Sequence, residues 1–242
     1  MQNKKGLAVI PARYESRRFP GKLISLLKGK SVIYRVVSQI LKCEDIDDIV
    51  LATDDERIAG EVASLPIDIV FTKKYFRNGT ERVASIASNY PTHDVIINVQ
   101  GDEPLLNPSG IQDLVALLKE DVTIEIASLM SKVLCEDVSE HVVKVLVDKN
   151  DIAIDFRREM PLTGFCYSHI GVYGFQREAL LTIAKLPGTE LEKERRLEQL
   201  RWLQNDYKIK MVRTDQQAIS IDVPSDISKA ELFISASHFE SE

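Results

Sequence analysis

Ala8-Val9-Ile10-Pro11-Ala12-Arg13-Tyr14-Glu15-Ser16-Arg17-Arg18-Phe19-Pro20-Gly21-Lys22 carries an apolar strand straight into a loop that holds four cations in the ten residues from Arg13 to Lys22. Core packing has no use for such a cluster. A polyphosphate has: Arg forks and a Lys point charge at the carboxyl end of a strand can neutralise it and fix its geometry. Gly21 lets backbone approach a ligand closely. The loop is neither familiar glycine-rich phosphate loop, because G-x-G-x-x-G is absent after the first strand and G-x-x-x-x-G-K-[ST] is absent throughout. The plain alternative is a solvated basic loop.

Outward from this loop, β-branched runs at Leu7 to Ile10, Ile49 to Thr53, Ile67 to Phe71 and Val95 to Val99 predict strands. Between and after them, Val32 to Cys43, Glu56 to Ala63, Thr80 to Asn89 and Ile111 to Lys119 have helical spacing. This rhythm predicts an α/β fold with a mostly parallel sheet flanked by helices, whose ligands sit at the carboxyl ends of the strands. Beyond residue 120 the pattern turns strand-rich, at Ile124 to Met130, Val142 to Val147, Ile152 to Phe156 and Ile170 to Phe175. An antiparallel excursion over about 122–176, available for dimer contacts, is expected within one domain spanning 1–242. Helices at Arg177 to Ala184 and Glu192 to Asn205, a strand near Ile209 to Val212 and a helix from Pro224 complete the reading.

The 242 residues carry a formal net charge of -6, which argues against nucleic acid or an anionic membrane as partner and makes the basic loop a local site. Cys43, Cys135 and Cys166 are widely separated, with neither disulfide-framework nor zinc spacing. No apolar run has signal-peptide or membrane-spanning length, so a cytoplasmic chain is expected.

The strand Val95 to Val99 ends in Gln100-Gly101-Asp102-Glu103-Pro104. A carboxylate there, facing the same crevice as the cation loop, can hold Mg²⁺ against phosphate oxygens, and Asp102 is the first candidate ligand. The alternative is a simple turn. Mg²⁺ takes one or two protein carboxylates, and Asp222, ahead of a helix started by Pro224, is the second candidate. It could instead be a helix-end acid, although Ser225 and Asp226 could serve that end. Asn78-Gly79-Thr80-Glu81-Arg82 offers backbone that can bend around a planar base, or else an ordinary helix cap.

In order along the chain stand Pro11-Ala12-Arg13-Tyr14-x-Ser16-x-Arg18-Phe19-Pro20-Gly21-Lys22, Gly29-Lys30, Ala52-Thr53-Asp54-Asp55, Asn78 to Arg82, Asn98 to Pro104, His169-Ile170-Gly171-Val172-Tyr173-Gly174, Leu197-Glu198-Gln199-Leu200-Arg201 and Asp222-x-Pro224-x-Asp226. This series resembles the 3-deoxy-manno-octulosonate cytidylyltransferases, the CMP-Kdo synthetases, over nearly the whole length. The resemblance implies a nucleotide-diphospho-sugar transferase-like fold, usually in a homodimer. It implies the reaction CTP + Kdo giving CMP-Kdo + pyrophosphate, for lipopolysaccharide or capsule synthesis. By position, Arg13, Arg18 and Lys22 would meet the triphosphate, with Arg13, Lys22 and Asp102 as the catalytic group. Asn78, Gly79, Thr80 and Arg82 would lie near cytosine, and Asp102 with Asp222 would hold magnesium. Gln100, His169 and Gln199 would meet the acidic sugar, and Arg158 would suit its carboxylate.

Arg17 matches nothing in the pattern and reads as a solvated charge; His93, His141 and His238 read as surface or packed residues. The chain departs from the family at Phe156-Arg157-Arg158-Glu159-Met160-Pro161, one residue shorter than the usual segment and with Arg in a Ser position. The stretch from Leu162 to Ser168 is also shortened, and Leu23 replaces the usual Pro. The first two changes fall near the sugar, so another acid sugar, an 8-amino-Kdo or a nonulosonic acid, is the competing acceptor. A non-catalytic nucleotide-binding protein on the same fold is a third reading, favoured only by loss of Lys22, Asp102 or Asp222, all of which are present.

Overall fold

The computed structural model describes residues 4–73, 75–135, 142–159, 164–215 and 219–237. Its centre is a pair of parallel strands, β1 (Gly6–Ala12) and β6 (Val95–Val99), paired from Gly6 with Val95 to Val9 with Asn98. Both are buried on two faces, which explains their unbroken apolar runs. Next to β1 lies β4 (Asp48–Thr53), and β5 (Asp68–Phe71) follows at the edge, both parallel. The chain thus builds one side of β1 and then crosses to the other. Loops leaving β1 and β6 therefore flank the point where the strand order reverses, the usual place for a ligand in such a sheet.

The helices form where apolar stripes and caps coincide. In α1 (Val32–Ile40), Val32, Ile33, Val36, Val37 and Ile40 make the buried stripe, and the Ser31 hydroxyl accepts from Tyr34 N. α2 (Glu56–Val62) starts at Asp55, α3 (Gly79–Ala87) at Asn78, and α4 (Pro108–Glu120) at Asn107, each capped by that side chain. Helices α1, α2 and α4 cover the sheet face formed by Ala8, Ile10, Ile97 and Val99; α3 covers the opposite face, formed by Leu7, Val9 and Ile96. The Gly29-Lys30 motif is a small hairpin between β2 (Leu26–Leu27) and β3 (Lys30–Ser31), with Lys28 and Gly29 at φ 49° and 76°.

Most of the strand-rich second half is built into the main sheet. β7 (Ile126–Leu134), β10 (Phe165–Gln176) and β11 (Ile209–Thr214) extend the main sheet in the order β11-β7-β10-β6, and β10 runs antiparallel to both neighbours. Only β8 (Lys144–Val147) and β9 (Ala153–Arg157) lie off that path, as a hairpin against β10. Gly174 has no room for a Cβ, because α4 packs Leu114 and Leu118 onto it. The opposite face takes α5 (Arg177–Ile183).

The helix expected over Glu192 to Asn205 is two helices, α6 (Glu190–Arg195) and α7 (Gln199–Leu203). The break falls at Arg196, left-handed at φ 55°. The last helix is α8 (Pro224–Ser237). His141, His238 and the run from Met160 to Thr163 lie outside the described residues. His93 is packed, 2.7 Å from Asp48 and edge-on to Tyr90.

Candidate active site

After β1 the chain loops out and returns. Gly21 N donates to Tyr14 O at 3.2 Å, and Gly21 adopts φ 70° with the Tyr14 hydroxyl against it. The Tyr14 ring is held from outside by Arg57, whose guanidinium carbon lies 3.3 Å from the ring centroid and which itself pairs with Asp55. This closure delivers Lys22 to the carboxyl end of β6, where its ammonium donates to Asp102 and stands 3.4 Å from Asp222 Oδ1. Arg18 donates to the same Asp222 oxygen at 2.8 Å. Residues 18, 22, 102 and 222 therefore converge at one spot. Burial alone would lower the Lys22 pKa, but Asp102 and Asp222 outweigh it and hold the value above the ordinary one.

Backbone holds the two acid-bearing loops together: Ile221 N donates to Asp102 O at 2.8 Å, and the Ser220 hydroxyl donates to Glu103 Oε1 at 2.5 Å. Glu103 is the third carboxyl here and went unassigned in the sequence, where it reads as part of a turn. Burial, aided by the Asp102 charge, pushes it up to about 8, and its Oε2 has no hydrogen-bond partner among the described residues. Capping at the start of α8 is done by Asp226, whose Oδ2 accepts from Asp222 N and Val223 N at 3.0 Å each. Asp222 is thus free of the helix-end role.

Asp102 and Asp222 fit a hard divalent cation. Both offer carboxylate oxygens to the single ammonium of Lys22, so they already share one cationic centre. Among the described residues no group of three or more His, Cys, Asp or Glu side chains could hold a metal. Two carboxylates, completed by water and phosphate oxygens, are nevertheless enough for Mg²⁺.

In the segment expected near the base, Asn78 caps α3 through Glu81 N, and Gly79 closes on Pro11 and Gln100, either of which a Cβ would approach to 3.4 Å. Arg82 is placed differently from a ligand-facing cation. It is 4% exposed, donates to Ala12 O at 3.2 Å and pairs with Asp54 at 3.1 Å, tying the ends of β1 and β4 together. Arg13 and Arg17 are both exposed in the loop.

On the other side a hydrogen-bond chain crosses the sheet. Gln100 donates to Asn98 at 3.1 Å, Asn98 to Thr80 at 3.4 Å, and Thr80 to Glu198 at 2.9 Å. It accounts for a fully buried Asn in the middle of β6. Burial pushes Glu198 up to about 7. Gln199 is buried at the start of α7. His169 sits between Phe156 and Tyr173 at ring distances of 5.2 and 5.1 Å, and burial pushes its pKa down to about 3, so it is neutral. Arg158 donates to the Arg195 carbonyl at 2.6 Å; burial and the nearby Arg18 charge lower its pKa, while Asp222 opposes them. Asp222, one of the two carboxylates that face Lys22, therefore reaches Arg158 as well. Arg157 is bound to Asp155.

Residues 7–209 match the model of the Cytidylyltransferase family. A 3-deoxy-manno-octulosonate cytidylyltransferase of Geotalea daltonii is 37% identical, over 92% of this chain and 95% of that protein. That of Myxococcus xanthus is 36% identical over 98% and 99% of the two chains. The chain belongs to this cytidylyltransferase family. A solved CMP:2-keto-3-deoxy-manno-octonic acid synthetase complexed with CTP superposes with a TM-score of 0.88 at 27% identity, covering 96% of this chain and 99% of that one. A glucose-1-phosphate thymidylyltransferase from Bacillus anthracis, 15% identical with a TM-score of 0.70, shares the fold. The nucleotide-sugar transferase-like architecture expected from the motif order is thus the one present. Of the cytidylyltransferase motif residues, Arg18, Lys22, Asp102 and Asp222 meet directly, and Gln100 connects to Glu198 through Asn98 and Thr80.

Proposed function

We propose that this chain transfers CMP from CTP to Kdo, giving CMP-Kdo and pyrophosphate in a step that serves lipopolysaccharide or capsule synthesis. The observation that carries this reading is the convergence of Lys22 and Arg18 on Asp102 and Asp222 at the carboxyl ends of β1 and β6. Cations and metal-competent carboxylates at one point suit a triphosphate.

In the reaction, a hydroxyl oxygen of the sugar attacks the α-phosphorus and gives up its proton to solvent, the bond from that phosphorus to the β-phosphate bridge breaks, and pyrophosphate leaves in line. Arg13, Arg18 and Lys22 bind the triphosphate and take up charge on the departing pyrophosphate. Asn78, Gly79 and Thr80 line the cytosine side, with Arg82 bracing the loop behind them. Asp102 and Asp222 would hold Mg²⁺, which when bound neutralises phosphate oxygens. Arg158 takes the acceptor's carboxylate, and Gln100, His169 and Gln199 its hydroxyls.

The working unit in this reading is a homodimer in the cytoplasm. Leu134 and Phe165, 38% and 68% exposed on paired strands, support a partner surface there. The wide spacing of Cys43, Cys135 and Cys166, which forms no disulfide framework, suits a reducing compartment, and no helix among the described residues is long and apolar enough to cross a membrane. Arg157 in place of the family's Ser favours a second acceptor reading, an 8-amino-Kdo or nonulosonic acid. Pyrophosphate release from CTP and Mg²⁺ across a panel of ulosonic and nonulosonic acids tests both. Turnover with Kdo is expected; release with no acid in the panel would remove the proposal.

A further inference from the structure

The segment where this chain departs from its family is built around one carboxylate. Asp155 Oδ2 accepts from Arg157 Nε at 2.9 Å and Nη2 at 2.5 Å, while Oδ1 accepts from Arg195 Nη1 at 2.9 Å. Arg195 also reaches the Phe156 carbonyl at 3.3 Å. In return, the Arg195 carbonyl, freed at the last turn of α6, accepts from Arg158 Nη1 at 2.6 Å. Asp155 thus does two things. It holds Arg157 along the strand, two residues away on the same face, and it fastens β9 to the α6 end that grips Arg158.

We infer that Asp155, acting through Arg195, is a positioning residue for Arg158 and thereby for the acceptor's carboxylate. The inference rests on the reading of Arg158 given above. Simple surface ion pairs contribute little, but a carboxylate shared by a two-pronged Arg and a second Arg is a network with fixed geometry, and Asp155 is only 18% exposed. An Arg displaced from the α6 carbonyl keeps its charge and loses its aim. The defect belongs in acceptor affinity, with CTP untouched.

The test compares Asp155→Asn, Arg195→Ala, Arg158→Ala and the Asp155→Asn/Arg158→Ala pair, measuring KM for Kdo and for CTP with melting temperature alongside. Asp155→Asn and Arg195→Ala should each raise the Kdo KM roughly threefold to tenfold, the effect of loosening one charge-assisted hydrogen bond, and leave the CTP KM within about twofold. In the Arg158→Ala background, Asp155→Asn should add almost nothing. An Arg158→Ala defect in Kdo KM without one in Asp155→Asn or Arg195→Ala overturns the strut and leaves the Arg158 reading standing. No Kdo defect in Arg158→Ala overturns both. Equal losses for Kdo and CTP would make Asp155 a general structural residue, and if Asp155→Asn does not fold, Arg195→Ala decides.

Discussion

Ser128 Oγ lies 2.9 Å from His169 Nε2 and donates its one proton to the Val172 carbonyl 2.7 Å away, so the imidazole is the donor of the pair. A bulge between Ile170 and Tyr173 frees that carbonyl, and Ser128 takes it. His169 is thereby held as the neutral Nε2-H tautomer, with Nδ1 left as an acceptor suited to a sugar hydroxyl.

The pH dependence of stability follows. The folded His169 titrates at about 3, whereas an unfolded histidine titrates near 6.5. Below about 6.5 the unfolded chain binds a proton that the folded chain refuses, so this contribution is present at neutral pH and is lost as pH falls towards 3. It amounts to about 1.4 kcal/mol per pH unit, or roughly 2 kcal/mol between pH 6.5 and 5. His169→Gln should flatten the fall in melting temperature over that range. An unchanged slope would mean that the imidazole is not the group responsible.

Arg82→Ala should act on the fold before it acts on CTP. It removes the partner of Asp54 and of the Ala12 and Ala52 carbonyls from a buried position, and breaking a buried pair from one side costs about 3–5 kcal/mol. In a protein of this size that is roughly 6–15 °C of melting temperature. A normal melt with a raised CTP KM would return Arg82 to the nucleotide site.

How much of this was legible can be judged residue by residue. β1 and β6 are buried on both faces, so their apolar runs named them, and the rule that ligands meet strand carboxyl ends then pointed to Lys22 and Asp102. Asp222 was legible as an acid before a Pro-started helix, and Ser225 and Asp226 as alternative caps; that Asp226 is the one used depends on its reach back to Asp222 N and Val223 N. The α6–α7 break was hidden because Arg196 bends left-handed without Gly or Pro, while Leu197 and Leu200 continue the helical spacing. The setting of Arg82 was hidden for another reason. Its partners Ala12, Ala52 and Asp54 sit on other elements, beyond the reach of local pattern. The Asp155–Arg157 pair did leave a signal, opposite charges two residues apart in a strand.

Lys22→Ala and Arg13→Ala should each lower kcat/KM for CTP by about tenfold to a hundredfold, the worth of one or two charge-assisted hydrogen bonds to phosphate. Their folds should differ in response. Arg13 is exposed and its loss should leave the melt unchanged, whereas losing Lys22, with a side chain only 13% exposed, takes the cation from Asp102 and leaves Asp222 with Arg18 alone. Magnesium should recover part of the Lys22→Ala stability loss and none of the CTP defect. Wild-type kinetics in either variant at subsaturating CTP would take that residue out of the site.

Asp102→Asn and Asp222→Asn should each abolish turnover, because an amide cannot supply the charge that holds Mg²⁺ against phosphate. The two substitutions are not equivalent in the resting protein. Among the described residues the Asp102 carboxylate is bound by Lys22 alone, whereas Asp222 also anchors Arg18, so Asp222→Asn should loosen the loop as well as the metal. The start of α8 should survive, since Asp226 supplies its cap. A magnesium titration separates the contributions: raising the metal should restore a little activity to each variant, and less to Asp222→Asn, whose Arg18 contact magnesium cannot replace. If Asp222→Asn turns over normally at low magnesium, Asp222 serves only to hold Arg18 and Lys22, and the second carboxylate on the metal is another residue.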